Sequence, residues 1–354
     1  MSPRLPVLTD APAPSPAAER PVVEKGCPLT DPFGRTIDYL RISVTDRCNL
    51  RCVYCMPEDG IDWIPHAEIL SYEEIARVVR VLAESGLRRV RLTGGEPTVR
   101  RDLVELVRQI AATPGIEDLA LTTNGLKLRT LARPLVDAGL DRFNVSLDTL
   151  DPARFAALTR GGDVAKVLDG IEAVLALGLD APLKVNCVVV GGANDGDVVA
   201  LTRHFLDRDV VVRFIEYMPF TDLDGWTHGA YVPLARVRDE LVRELGIEPG
   251  ARVRGSGPAE YWSVPGHAAR VGFIHPVSEH FCAACNRVRL TATGELRPCL
   301  GHAGAVSLAP VLRGGGDDDA LRGRIADALA AKPFKHDFAE NPAETKGVMT
   351  AIGG

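Results

Sequence analysis

Residues 38–57 read DYLRISVTDRCNLRCVYCMP, and the fold and the chemistry both follow from this stretch. Its first half, Tyr39–Val44, is a short run with apolar and β-branched residues, a strand by pattern. Its second half sets Cys48, Cys52 and Cys55 at C-x-x-x-C-x-x-C spacing. Three thiolates this close can hold three corners of a [4Fe–4S] cube and leave the fourth iron without a protein ligand. An iron with an open position is a site for chemistry, whereas a fully ligated cluster mainly carries electrons. Zinc fits less well, because it draws its cysteines as C-x₂₋₄-C pairs with another pair further on.

A second thiol set comprises Cys282 and Cys285 in FCAACNRVRL and Cys299 in LRPCL. Alone, it is ambiguous between zinc, a redox dithiol and another cluster. The count helps: of eight cysteines, six fall into two triplets, which favours two clusters with one free iron each. Cys27 lies in a leading segment with Pro and Gly and receives no role. Cys187, inside KVNCVVV, reads as a buried strand residue.

Outward from the first triplet, strand and helix alternate up to about Pro219. Strands are expected at Tyr39–Val44, Val90–Thr93, Leu119–Thr123, Phe143–Leu147, Leu183–Val189 and Val210–Ile215. Helical stretches lie between them: SYEEIARVVRVLAESG, DLVELVRQIAAT, LKLRTLARPLVDAG and VAKVLDGIEAVLALG. The first opens with Ser71 and Glu74 as a capping box and closes at Gly86. Its Ile75, Val78, Val79 and Leu82 share one face. Repeated βα units imply an α/β fold, an incomplete (β/α)6 TIM-like barrel over residues 26–220. The rhythm breaks after residue 220, so a C-terminal domain with the second triplet is expected over 221–335. Residues 1–25, rich in Pro and Ala, are expected to be a disordered extension, and 336–354 a tail.

Polar residues gather at the C-terminal ends of these strands, where barrels of this type build their sites. They are Thr93-Gly94-Gly95-Glu96-Pro97, Thr122-Thr123-Asn124-Gly125, Ser146 and Asp148, Lys184 and Asn186, then Arg213, Glu216 and Met218. The glycine pair would let backbone approach a ligand closely, with Glu96 held by Pro97. Arg41 and Arg91 lie within strands, where each must pair with a carboxylate such as Glu96 or Glu216, or face a polar cavity. Arg287 and Arg289, two apart on a strand after Cys285, point to one side.

The 354 residues, 46% of them apolar, suffice for a sizeable core. A net charge of −6 argues against a nucleic-acid surface, and no apolar run approaches the roughly 18 residues of a membrane helix. The first residues lack a signal peptide's apolar region, and open-iron clusters need reduced thiols, so a cytoplasmic protein is expected.

Taken together, the chain resembles the radical S-adenosylmethionine enzymes and, among them, the GTP 3′,8-cyclases that begin molybdenum-cofactor synthesis. The likeness rests on DYLRISVTDRCNLRCVYCMP, RLTGGEP, LTTNG, RFNVSLDT, RFIEYMP, FCAACNRVRLTATGELRPCL and the terminal Gly353-Gly354. The first motif and Gly-Gly-Glu-Pro specify the superfamily. The second triplet with Arg287, Arg289 and the Gly-Gly end specifies the cyclases. The resemblance implies two [4Fe–4S] clusters, with S-adenosylmethionine chelated at the first by its amino and carboxylate groups. Tyr54, Gly95, Glu96, Ser146 and Met218 would lie against S-adenosylmethionine. GTP would meet Arg41, Arg91, Thr122, Lys184, Arg213, Arg287, Val288 and Arg289, with its base at the second cluster. A 5′-deoxyadenosyl radical would remove the ribose C3′ hydrogen, and attack on C8 would give 3′,8-cyclo-7,8-dihydro-GTP. The tail ending in Gly353 and Gly354 would enter the active site.

The resemblance further implies a flavodoxin- or ferredoxin-type electron donor and product delivery to cyclic pyranopterin monophosphate synthase, and leaves a homodimer open. Two rivals make different demands. A peptide-modifying radical enzyme would lack the Arg287/Arg289 pair and carry extra cysteines. A non-enzymatic iron–sulfur or zinc protein would not need Gly-Gly-Glu-Pro.

Overall fold

The computed structural model describes residues 21–218, 230–253, 255, 257–302 and 304–336. The extension up to residue 20, the boundary at 220 and the tail with Gly353 and Gly354 lie outside the described residues. Within the segment expected to be disordered, Val23 is buried in the core; just beyond that segment, the Gly26 amide donates to the Glu84 carbonyl at 2.8 Å.

Strands β1 (Tyr39–Ser43), β2 (Arg89–Thr93), β3 (Asp118–Thr123), β4 (Arg142–Ser146), β5 (Leu183–Val189) and β6 (Val210–Glu216) follow in order. Each pairs with the next in parallel. The crossovers carry helices α1 (Tyr72–Glu84), α2 (Leu103–Ala111), α3 (Leu128–Asp137), α4 (Pro152–Thr159), α5 (Val164–Leu175) and α6 (Val198–His204). The capping box forms as expected: the Glu74 amide donates to Ser71 at 3.2 Å, and the Ser71 amide to the Glu74 carboxylate at 2.7 Å. Helices α4 and α6 were not located from sequence; eight and seven residues are too few for a 3.6-residue period to declare itself.

The sheet does not end where the βα rhythm ends. Helix α7 (Leu234–Leu245) leads to β7 (Glu248–Pro249), β8 (Glu260–Ser263) and β9 (Arg270–Ile274). Strand β9 joins β6 in parallel, and β8 and β7 follow it antiparallel. On the opposite side β10 (Arg287–Leu290) joins β1 in parallel, followed antiparallel by β11 (Glu295–Arg297) and β12 (Val306–Ser307). Helices α8 (Ala309–Arg313) and α9 (Asp318–Ala330) close the described chain. The result is one open sheet of twelve described strands, in which the six expected parallel strands become eight.

Alternation along the strands divides the sheet's two faces. One face buries Leu40, Ile42, Val90, Leu92, Leu121, Phe143, Val145, Phe214 and Phe273 in the main apolar core. On the other face, register aligns Arg41 with Arg289 and Arg91, Asn144 with Lys184, and Asn186 with Arg213. A closed barrel fills its interior with branched apolar side chains. This open sheet instead lines that face with cations and amides, so the face is a site. Gly272, aligned with Arg213, keeps that space open, since a Cβ there would meet the arginine Cγ at 3.1 Å. Among the described residues no helix is long and apolar enough to cross a membrane.

Candidate active site

Both cysteine triplets line one cavity of about 340 Å³, but from opposite ends. Cys48, Cys52 and Cys55 follow β1 and so stand at the C-terminal end of the parallel strands. Cys285 precedes β10, which runs parallel to β1, and Cys299 follows the antiparallel β11. The second triplet therefore sits at the strands' N-terminal end, and not at the rim where the sequence gathers its polar residues. Strand β1, five residues long, spans about 16 Å at roughly 3.3 Å per residue. Five guanidinium groups, from Arg41, Arg91, Arg213, Arg287 and Arg289, line the space between.

The loop that carries the first triplet is gripped by the end of β2. The Gly95 amide donates to the Thr45 carbonyl at 2.7 Å, and the Glu96 amide to the Arg47 carbonyl at 2.8 Å. A Cβ on Gly94 would lie 2.5 Å from the Thr45 carbonyl oxygen, and one on Gly95 2.4 Å from that of Arg47. The glycine pair thus lets backbone approach backbone, where a ligand was expected. Glu96, expected at the cofactor, is likewise occupied. Its carboxylate accepts from Thr98 (amide 3.0 Å, hydroxyl 2.6 Å), the Thr123 hydroxyl at 2.7 Å and the Asn124 amide at 2.6 Å. The Asn124 side chain continues to Asn49, inside the cysteine loop, at 2.8 Å. Gly95→Ala should therefore cost about 2–3 kcal/mol of stability by overpacking. Iron bound per chain, counted after anaerobic reconstitution, should fall at the first triplet; full loading would mean that the loop does not need this contact.

The thiols suit iron. Burial pushes Cys48 up to about 11 and Cys55 up to about 12, with the Cys48 thiol adding to the latter. Cys52 also rises, first by burial and then through Cys55, Asp148 and Cys48. Thiols this close, buried and mutually repelling as thiolates, are compensated when a cation displaces their protons. Among the described residues no three His, Cys, Asp or Glu side chains converge on a single-ion position. A cube held at three corners asks for thiols spread more widely than one ion does. In the second triplet burial raises Cys282 to about 11 and also raises Cys299. Cys285 goes the other way: burial works upward, but Lys332 and Arg287 outweigh it.

Between the triplets, cations outnumber available carboxylates. Asp118 is held by Arg142. Glu216 accepts from the Val277 amide at 2.9 Å, the Ser278 amide at 3.0 Å, the Ser278 hydroxyl, and Tyr231 at 3.1 Å. It pins the segment leading to Cys282 onto the end of β6. Neither carboxylate expected to pair with Arg41 and Arg91 is therefore free for them. Arg213 donates to Asn144 at 2.7 Å and to Asn186 at 2.6 Å. Among the described residues, the buried Nε atoms of Arg91 and Arg287 and the Thr122 hydroxyl have no hydrogen-bond partner. Burial, then neighbouring guanidinium groups, lowers Arg41 and Arg91 and brings Arg289 to about 10. Lys184 is lowered to about 6, by burial first and then Arg142 and Arg213. A wall this crowded with positive charge calls for a polyanion.

Of the remaining expected residues, Tyr54, Ser146, Met218 and Thr122 all line the cavity. The Tyr54 hydroxyl donates to Asp148, a carboxyl that burial raises to about 6. Lys184 is buried but is not part of the cavity wall. Val288 requires correction: its side chain lies in the apolar core beside Leu40, on the opposite face of β10 from Arg287 and Arg289. Any substrate contact there must come from its backbone. Cys187 is buried in the core as expected, and Cys27 is exposed. Tyr39 was missed, although strand parity with Arg41 points to it; its ring lies 5.5 Å from the Arg91 guanidinium and 6.0 Å from that of Arg287. Phe281, 5.0 Å from the Arg287 guanidinium, and Lys332 carried no local signal.

Comparison with known proteins shows the family. Residues 42–205 match the radical SAM superfamily, and residues 210–338 match the family described as Molybdenum Cofactor Synthesis C. A GTP 3′,8-cyclase of Pelotomaculum thermopropionicum is 48% identical over 327 residues, 92% of this chain and 100% of the relative. That of Heliobacterium modesticaldum is 47% identical over 330 residues, again 92% and 100%. Among solved structures, Streptococcus suis SuiB bound to S-adenosylmethionine shares the fold, with a TM-score of 0.58 and 15% identity over 83% of this chain and 69% of that one. The chain belongs to the GTP 3′,8-cyclases, a family of radical SAM enzymes of molybdenum cofactor biosynthesis.

Proposed function

We propose that this chain converts GTP to 3′,8-cyclo-7,8-dihydro-GTP with S-adenosylmethionine, the first step toward molybdopterin. One observation carries the reading: two thiol triplets face each other along one cavity whose wall between them holds five guanidinium groups. Cys48, Cys52 and Cys55 would hold one [4Fe–4S] cluster, and Cys282, Cys285 and Cys299 the other. When bound, the first cluster with S-adenosylmethionine would supply 5′-deoxyadenosyl radical chemistry for hydrogen removal at the ribose C3′. The second cluster, when bound, supplies an iron for the guanine base.

The chain's own residues do the rest. Guanidinium forks of Arg41, Arg91, Arg287 and Arg289 grip phosphate oxygens in pairs, which fixes the ribose between the two ends. Thr122 and Arg213 border the same space, and a contact from Val288 would come through its backbone. Gly95, Ser146, Met218 and Tyr54, braced by Asp148, flank the adenosyl group at the upper end. Residues 26–220 carry the first cluster, the adenosyl site and part of the substrate wall, and 221–335 carry the second cluster and the remaining substrate arginines, with Gly353 and Gly354 completing the site from the tail. A low-potential flavodoxin or ferredoxin supplies two electrons. One cleaves S-adenosylmethionine, and the other, with a proton, reduces the nucleotide radical left by attack on C8. The product passes to cyclic pyranopterin monophosphate synthase. The reduced thiols suit the cytoplasm.

Anaerobic incubation with dithionite, S-adenosylmethionine and GTP should give 5′-deoxyadenosine and the cyclised nucleotide together. Deoxyadenosine formed with GTP untouched would overturn the substrate. Lys184 adds a pH signature. Held near 6, it is mostly neutral at pH 7, and an arriving triphosphate favours its charged form. GTP binding should therefore take up a proton, and affinity should fall as pH rises above about 6. Calorimetry in buffers of different ionisation enthalpy measures this uptake, which Lys184→Met should remove. Buffer-independent heats in the unaltered protein would exclude it.

A further inference from the structure

Lys332 follows α9 and is 3% exposed. Its ammonium donates to the Pro298 carbonyl at 2.5 Å, the Arg287 carbonyl at 2.9 Å and the Cys285 sulfur at 3.6 Å. Three protons thus meet three acceptors drawn from the two separate segments that carry Cys285 and Cys299. None of those acceptors is a carboxylate. A buried ammonium is costly unless a negative charge faces it, and the only one of the three acceptors able to become negative is the Cys285 thiolate.

The segment after Lys332 is fixed from its other side. Arg35 donates to the Pro333 carbonyl at 2.7 Å, and to the Phe334 and Cys282 carbonyls at 2.8 Å each. Asp31 holds that guanidinium at 2.5 Å. The lysine is therefore built into the frame of the second triplet, outside the wall that would meet substrate.

We propose that Lys332 is a positioning residue for the second triplet: it ties Cys285 to the Pro298–Cys299 segment and raises the reduction potential of the cluster that they hold. The inference rests on the reading that Cys282, Cys285 and Cys299 carry a [4Fe–4S] cluster. A fixed positive charge beside a ligand sulfur stabilises the reduced, more negative form, and a hydrogen bond to sulfur acts in the same direction.

The test is a redox titration of the anaerobically reconstituted full-length protein, followed by electron paramagnetic resonance and iron counting. Cys48→Ser assigns the two signals, and the first cluster serves as an internal reference in every variant. Lys332→Gln should shift the second midpoint downward, changing its reduced-to-oxidised ratio at fixed potential about tenfold (about 59 mV for a one-electron couple), with the first unmoved. Lys332→Arg, which keeps the charge, should restore most of the shift. An unchanged second midpoint in a fully loaded Lys332→Gln protein would overturn the proposal. If Lys332→Gln loads no second cluster, Lys332→Arg decides: restored loading supports the role of the charge, and continued loss overturns it. A single cluster in the unaltered protein would instead overturn the underlying two-cluster reading.

Discussion

Cys48→Ser is expected to abolish S-adenosylmethionine cleavage while leaving the second triplet's iron in place. The first site has three thiols and no spare cysteine among the residues that line the cavity beside it. Serine would replace a soft sulfur with a hydroxyl that ionises far less readily, at a position where burial already pushes a thiol up to about 11. The loop itself should survive, because Gly95 and Glu96 hold it through the Thr45 and Arg47 carbonyls and not through Cys48. The second triplet lies beyond the length of β1, with its own supports in Glu216, Arg35 and Lys332. Deoxyadenosine formation should thus fall to background while iron bound per chain falls by about half. Full cleavage by Cys48→Ser would show that the cluster has been assigned to the wrong thiols.

Arg287→Ala should separate substrate binding from radical generation. The guanidinium faces the cavity on the same side of β10 as Arg289. Its Nε has no hydrogen-bond partner among the described residues, and its planar group lies 5.0 Å from the Phe281 ring and 6.0 Å from that of Tyr39. Nothing in those contacts consumes its capacity to meet two oxygens at once. A charge-assisted contact to phosphate contributes about 2 kcal/mol, so GTP affinity should weaken by about thirtyfold. Deoxyadenosine formed without GTP should be unaffected, because Arg287 stands at the second triplet's end of the strands. A dissociation constant for GTP equal to that of the unaltered protein would remove Arg287 from the site.

The parts legible in the sequence were those written in local pattern. Leu183–Val189 could be bounded to the residue, because a β-branched run between turn signals has no helical reading. The capping box of α1 was equally local. Both cysteine triplets were visible by spacing, and Arg41, Arg91 and Arg213 by the oddity of charge inside apolar strands. What stayed hidden depends on pairing between distant segments. The stretch Arg287–Leu290 looks like a strand, but nothing in it says that it joins β1, or in which direction. That direction alone puts the second triplet at the far end of the cavity. The same limit made Gly94 and Gly95 look like a ligand cradle, when their tight neighbours are backbone atoms of residues 45–47. Arg35 and Lys332, in DPFGRT and AKPFKH, have the local appearance of solvated cations. Only tertiary packing buries them beside the second triplet.

The central claim is that GTP lies between the two triplets with its ribose within reach of the radical generated at the first. GTP carrying deuterium at ribose C3′ tests it most directly, incubated anaerobically with the reduced, reconstituted protein and S-adenosylmethionine. The account predicts deuterium in the 5′-deoxyadenosine and, in the same sample, the cyclised dihydro nucleotide. Deoxyadenosine free of deuterium, with GTP recovered unchanged, would contradict it.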